Sequence, residues 1–411
     1  MKKILISFLL PLLLTSCDHL GSTRVKNLID LTPRLEVETS APLKITDGKN
    51  STFSGESEKS YKLSKHEIIA KPAIAKEIMY SVDKDGYVSS FSLKTKKILW
   101  IADIAKGLLD RNFNTGGILF SDDKLYITNS SRYLVILDAN NGHEIMRKEF
   151  PDIIRTKPIM ANERILLVQT ISNQLIAYDI NSSKLVWMNE GGMEIISTRN
   201  QVHPVIYNDH VLVSYSSGEV LYLDIHTGHE KWRYNLATTS DVGLPSFDPS
   251  VIVTTPIISG SYAYFASSNG KVIKIDLDNG APAWLRAAED VQSMSLIGEN
   301  LFITNNARQI AALSAHNGKI SWVGNLISIK DRLSKKPKTA LFQNAFVTKT
   351  SKGFAVNVIA SNGELYQFNT NDFGNLPEDP SIIKIINNAK YHWISCCTGK
   401  LYLISAKQVK F

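Results

Sequence analysis

The side chains of this sequence that could do covalent or metal chemistry are few. Cys396 and Cys397 are adjacent in "ISCCTGKLYLI", and Cys17 stands far from them. Neighbouring cysteines cannot staple distant segments, so a disulfide framework is excluded and stability must come from packing. As buried free thiols the pair would act as small apolar side chains. The nine histidines are spread along the chain. Their one close pair, His226 and His229, straddles a hairpin glycine, where a turn accounts for both better than a metal does. Gly-Lys occurs at Gly48-Lys49, Gly270-Lys271, Gly318-Lys319 and Gly399-Lys400, always without the Gly before and the Ser or Thr after that a phosphate loop needs. No G-x-S-x-G elbow and no H-E-x-x-H is present. The sequence therefore assigns no catalytic residue, metal ligand or cofactor.

Cys17 has a different context. The chain opens "MKKILISFLLPLLLTSC", with Lys2 and Lys3 ahead of an apolar run from Ile4 to Leu14. Such a run is far short of the roughly 20 residues that cross a bilayer, so residues 1–16 read as a signal peptide. Leu14-Thr15-Ser16-Cys17 resembles the lipobox of bacterial lipoproteins, which implies that the Cys17 thiol is acylated and becomes the N-terminus. Each buried methylene contributes about 0.8 kcal/mol, so several acyl chains hold the protein on a membrane outside the cytoplasm. Residues 17–58 are polar and rich in Ser, Thr, Gly and Lys, as a tether would be. Within them "RLEVE", Arg34 to Glu38, alternates well enough to make one strand. The net charge of +7 falls by two when Lys2 and Lys3 leave. The remaining basic residues are scattered, which fits a solvated surface and argues against nucleic acid.

The rest of the chain, residues 59–411, is periodic. "YLDIHTGHEKW" (Tyr222 to Trp232) returns in worn form as "IDLDNGAPAW", "LSAHNGKISW", "DINSSKLVW", "LDANNGHEIM" and "LKTKKILW". Each unit is an apolar strand, a turn, an alternating strand, a turn at Gly or Asn, and a strand ending near Trp. Units begin near Met79, Leu125, Arg164, His210, Tyr262, Leu301, Phe354 and Tyr391, at spacings of about 36 to 55 residues. Trp100, Trp187, Trp232, Trp284 and Trp322 share one register, with Met146 replacing the indole once. Short apolar segments between units, "KPIMA", "HPVIY" and "TPIIS", add a further strand to each. Four strands at this period predict an all-β, eight-bladed propeller of four-stranded antiparallel blades. The recurrent Trp is expected to wedge neighbouring blades apart. The last unit ends at "KLYLISAKQVKF" without its final strand, and Arg34–Glu38 is expected to supply it and close the ring.

A lipobox, a polar tether and eight repeats of the "SNGKVIKIDLDNGAPAW" kind resemble the BamB family, the lipoprotein subunit of the outer-membrane β-barrel assembly machine. The fourth-unit region carries the likeness furthest. There "ISTRNQVHPVIYNDHVLVSYSSGEVLYLDIHTGHEKW" is followed by the insertion "NLATTSDVGLPSFDPSVIVTTPII". In that family the corresponding segments lie side by side and grip the periplasmic POTRA domains of BamA. The resemblance places Arg199 at the family's Arg position and Ile196 and Thr198 at its two Leu positions. The family's two acidic loop residues fall on Val251 and Val253, with Asp248 nearby but out of register, which implies a partly rewired contact.

The resemblance implies a non-enzymatic scaffold anchored in the outer membrane and facing the periplasm, binding BamA and assisting incoming unfolded outer-membrane proteins. Asp18, directly after the acylated cysteine, is a residue that in enteric bacteria retains lipoproteins in the inner membrane. Quinone-dependent dehydrogenases are the rival reading, because they share these repeats and some place an adjacent-cysteine disulfide over the quinone. A periplasmic interaction propeller with another partner is the third.

Overall fold

The structure, a computed structural model, describes Leu35, Thr52–Phe53 and residues 63–66, 68–105, 107, 111, 116–154, 156–192, 202–236, 252–267, 270–288, 290–327, 341–350, 353–360, 364–370, 381–384, 392–397 and 400–405. All regular structure among them is β. The sheets follow one another along the chain, each an antiparallel meander. The fourth is representative: Val205–Tyr207, His210–Ser214, Glu219–Asp224 and Glu230–Asn235. Five others have the same four-strand plan; counted from the N-terminus they are the first (residues 73–103), second (117–149), third (159–190), fifth (257–287) and sixth (291–325).

The burial of the strands explains their sequences. "HVLVS" and "EVLYLD" are buried on both faces, whereas "EKWRYN" hides its Trp and exposes most of the rest. A strand covered on both sides must be apolar on both sides, which is why the middle strands read as continuous apolar runs. The cover comes from neighbouring sheets. One core cluster joins the first and second sheets through Val82, Val88, Leu125 and Val135, and the next joins the second and third through Ile136, Phe150, Leu166 and Ile176. Further clusters join the third to the fourth, the fourth to the fifth, the fifth to the sixth and the sixth to the seventh. Face-to-face packing in chain order is a β-propeller.

The Trp register acts as expected, and the structure shows how. The fourth strand of each of the first six sheets carries a bulge immediately before the register position, for example between Tyr222 and Leu223 opposite Trp232. A bulge re-aims the side chain that follows it. The indole then leans on the next sheet, at the turn between its third and fourth strands. Trp187 Nε1 donates to Ile225 O at 3.0 Å, Trp232 Nε1 to Leu277 O at 2.8 Å, and Trp100 Nε1 to Ala139 O at 3.1 Å. Each ring lies flat on the turn's glycine: a Cβ on Gly228 would sit 2.6 Å from Trp187 Cε3, and one on Gly280 2.7 Å from Trp232 Cδ2. These glycines also have positive φ, +71° and +73°. Where the second sheet has Met146 instead of Trp, the facing turn of the third has Ser183 instead of glycine. Trp322 departs differently: among the described residues its Nε1 has no hydrogen-bond partner, and its ring meets Phe368 edge-on at 4.9 Å.

The seventh sheet has five strands. Phe346–Thr350, Gly353–Ile359, Glu364–Thr370 and Ser381–Lys384 are joined by Thr52–Phe53, which runs parallel to Phe346–Thr350. That strand comes from the segment read as a tether. His392–Cys397 and Lys400–Ser405 pair as a two-stranded sheet, with Cys396 opposite Leu401 and Cys397 opposite Lys400. Of Arg34–Glu38, Leu35 is described; it lies outside any strand. It is buried between the fifth and sixth sheets, its N–H donating to Gln309 Oε1 at 3.3 Å. The other residues of that segment, and with them the expected closure, lie outside the described residues.

Candidate functional site

In a four-stranded meander, the turns between strands 1–2 and 3–4 lie at one end, and the 2–3 turns and sheet-to-sheet connections at the other. The Trp wedges sit at the first end. The described residues on which the two long connections singled out by the sequence begin and end, Gly192 with Val202 and Leu236 with Ile252, belong to the second.

Their stems are brought together by the fourth and fifth sheets. Val202 ends one connection; Leu236 and Ile252 flank the other; all three share a single core with Leu212, Trp232, Phe265 and Ile273. The His203 N–H donates to Thr255 Oγ1 at 3.3 Å, tying the two chains beyond that core. Leu236 N–H also donates to Gly218 O at 3.1 Å.

The entry to the first connection is held by a buried acid. Glu219, 7% exposed, accepts the Gly192 N–H at 2.5 Å, the Ser217 hydroxyl at 2.8 Å and Arg233 Nη1 at 2.5 Å. Burial pushes its carboxyl up, but these three donors outweigh it and hold the group below its ordinary value. Asn173 completes the clamp: its Nδ2 donates to Gly192 O at 2.8 Å, and its Oδ1 accepts the Ser216 N–H and hydroxyl. Gly191 lies against the Tyr215 ring so closely that a Cβ there would meet Cδ2 at 2.3 Å. Sequence reasoning did not find Glu219. Its signal is an acid at a third-strand start, where the other five four-stranded sheets place Tyr, Gln or Lys and the seventh sheet has Glu364.

Ile196, Thr198, Arg199, Asp248 and Val251 lie outside the described residues, as do Cys17 and Asp18. Val253 is described: its N–H donates to Ala266 O at 2.9 Å and its side chain packs against the core shared by the fifth and sixth sheets. His226 and His229 are where a turn places them, in the 224–229 hairpin that Asp224 caps through the N–H groups of His226 and Thr227. Among the described residues no cluster of His, Cys, Asp and Glu could hold a metal.

The profile of the outer membrane protein assembly factor BamB matches residues 64–323. The chain belongs to the BamB family. An uncharacterised protein of Rickettsia prowazekii (strain Madrid E) is 42% identical over 416 residues, covering all of this chain and 99% of the relative. Among solved structures, the BamB of Moraxella catarrhalis superposes with a TM-score of 0.67 at 19% identity, over 85% of this chain and 97% of that one. The quinohemoprotein alcohol dehydrogenase of Comamonas testosteroni superposes with a TM-score of 0.59 at 12% identity, over 86% of this chain and 72% of the enzyme. Both likenesses are of fold. The enzyme shows that the fold by itself does not choose between scaffold and dehydrogenase.

Proposed function

We propose that the chain is a non-enzymatic scaffold of outer-membrane β-barrel assembly. It is held by an acylated Cys17 on the periplasmic face of the outer membrane, and its eight-bladed ring presents residues 193–201 and 237–251 to the POTRA domains of BamA. The observation that carries this reading is the common core of Val202, Leu236 and Ile252, which holds the stems of the two connections together. A pre-ordered platform loses little conformational entropy when it binds, so modest contacts suffice. Arg199 is the contact cation in this reading, with Ile196, Thr198 and Asp248 around it. Val253, packed into the core, replaces an acid of the family with an apolar anchor. Unfolded barrel proteins are the cargo that the platform helps BamA receive.

The test is co-purification from detergent-solubilised membranes. Arg199→Glu is expected to lose BamA while the purified variant keeps the wild-type melting temperature. Undiminished recovery of BamA would overturn the site. The dehydrogenase reading rests on the shared fold, and it predicts dye reduction by purified protein supplied with quinone and Ca²⁺.

A further inference from the structure

The approach to the first strands of the sheets follows one rule. Lys71-Pro72, Lys157-Pro158, His203-Pro204 and Thr255-Pro256 each precede the first paired residue of a sheet: Ala73, Ile159, Val205 and Ile257. Proline keeps the residue before it extended, so these four side chains occupy equivalent places around the ring. The corresponding residue of the second sheet is Gly117, which pairs with Thr128.

Hydrogen bonds link these positions from sheet to sheet. Gly116 bridges Thr156 in parallel, and the Thr128 hydroxyl donates to Thr156 O at 2.7 Å. Lys157 N–H donates to His203 Nδ1 at 3.2 Å, and His203 N–H to Thr255 Oγ1 at 3.3 Å. Gly117 leaves the room that Lys157 uses: a Cβ on it would stand 2.4 Å from Lys157 Cβ. Lys71, exposed to solvent at the equivalent place in the first sheet, is near enough that its charge, after burial, pushes the Lys157 amine below its ordinary value. Burial, then Lys157, pushes the His203 imidazole down to about 4. With Nδ1 accepting, neutral His203 carries its proton on Nε2 as a donor.

Lys157 and Thr255 are thus hydrogen-bonded to His203 from either side, the charge of Lys71 reaches Lys157, and among the described residues neither lysine is ion-paired. Cations gathered with no counter-charge are unfavourable, and an anion rich in acceptor oxygens is their complement. We infer that Lys71, Lys157 and His203 form a binding site for an oxyanion, the phosphate or carboxylate group of a small ligand, at the inner end of the ring. The site is separate from the two connections and does not depend on the BamA reading.

The test uses the full chain labelled with ¹³C-histidine at pH 7.5, titrated with inorganic phosphate and with citrate against sodium chloride of equal ionic strength. The His203 ring signal, assigned by its loss in His203→Gln, is expected to shift saturably with one or both. Phosphate alone would mark a phosphoryl ligand and citrate alone a carboxylate; either supports the site. In Lys71→Gln and in Lys157→Gln the affinity should fall roughly tenfold or more, the effect of removing one charge-assisted hydrogen bond. Lys71 is exposed, so its variant tests the site without straining the fold. A shift that chloride reproduces, no saturation with either anion, or unchanged affinity in both lysine variants would overturn the inference.

Discussion

Glu219→Gln tests whether the entry to the first connection is held by charge. The substitution keeps the side chain's shape and removes its negative charge. Glu219 accepts three hydrogen bonds, from Gly192, Ser217 and Arg233, while only 7% exposed. A hydrogen bond to a charged group is worth about 1.5–3 kcal/mol. Glutamine offers one acceptor oxygen and turns an NH₂ toward the remaining donors. The Arg233 part must be discounted, because that side chain is 40% exposed and keeps Glu230 at 2.8 Å. The net local loss is about 2 kcal/mol, which corresponds to roughly 30-fold faster opening. The assay is hydrogen exchange at the Gly192 amide, corrected for intrinsic rate, in wild type and variant. The pH dependence supplies a second reading. The folded carboxyl titrates below its ordinary value of 4.5, so its contribution is fully present above that pH and disappears as pH falls through the folded value. The difference between the two proteins should therefore be largest at neutral pH and vanish in acid. Equal exchange at neutral pH, or a gap that widens in acid, would refute the clamp.

Three further outcomes are expected. Gly228→Ala should be clearly more destabilising than Gly260→Ala. Both positions have positive φ, but a Cβ at 228 meets Trp187 at 2.6 Å whereas one at 260 meets nothing within 4 Å. The gap is the overpacking cost, about 1–3 kcal/mol, and equal urea midpoints would argue against the indole–glycine wedge. Met146→Trp should be tolerated poorly alone and well with Ser183→Gly, with a coupling of about 1–2 kcal/mol in the double-mutant cycle; strict additivity would show that the two positions do not meet. Cys17→Ala should abolish labelling by radioactive palmitate and release the chain from membranes, and a variant that is still labelled would displace the lipid anchor.

Much of the propeller can be read from the sequence because its devices recur. Trp187, Trp232 and Trp284 each repeat one task, so their register shows against a drifting background. The apolar runs are equally plain, since two covering neighbours demand them. The bulge before each Trp was not legible: it is one unpaired residue of any type, Leu99 in one sheet and Lys231 in another. Thr52–Phe53 was missed for a related reason. Two residues in a polar stretch carry no period, and their strand exists only because Phe346–Thr350 offers an edge. The clamp escaped because Glu219 is functional by its burial, and a single acid in an alternating strand reads as solvent-facing. Arg199 was reached by resemblance alone.

The placement of the wedges explains how the chain keeps its fold while its contacts diverge. The Trp100, Trp187, Trp232 and Trp284 indoles each bond a carbonyl and cover a glycine at the end of the sheets that carries the turns between third and fourth strands. Where one partner of that pair changes, the other changes too, as Met146 and Ser183 do. Such pairing keeps much of the stabilising packing between neighbouring sheets at that end. At the other end the stems of the two connections are tied to the core by Val202, Leu236, Ile252 and the Glu219 clamp. Residues between the stems can then be replaced at little cost to folding. Val251, standing where the resemblance places an acid, is a change of this kind, whereas Val253 packs against the core. It follows that swapping residues 193–201 and 237–251 for those of another family member should move partner choice without moving the melting temperature. A swap that unfolded the ring would show that stability and recognition share residues after all.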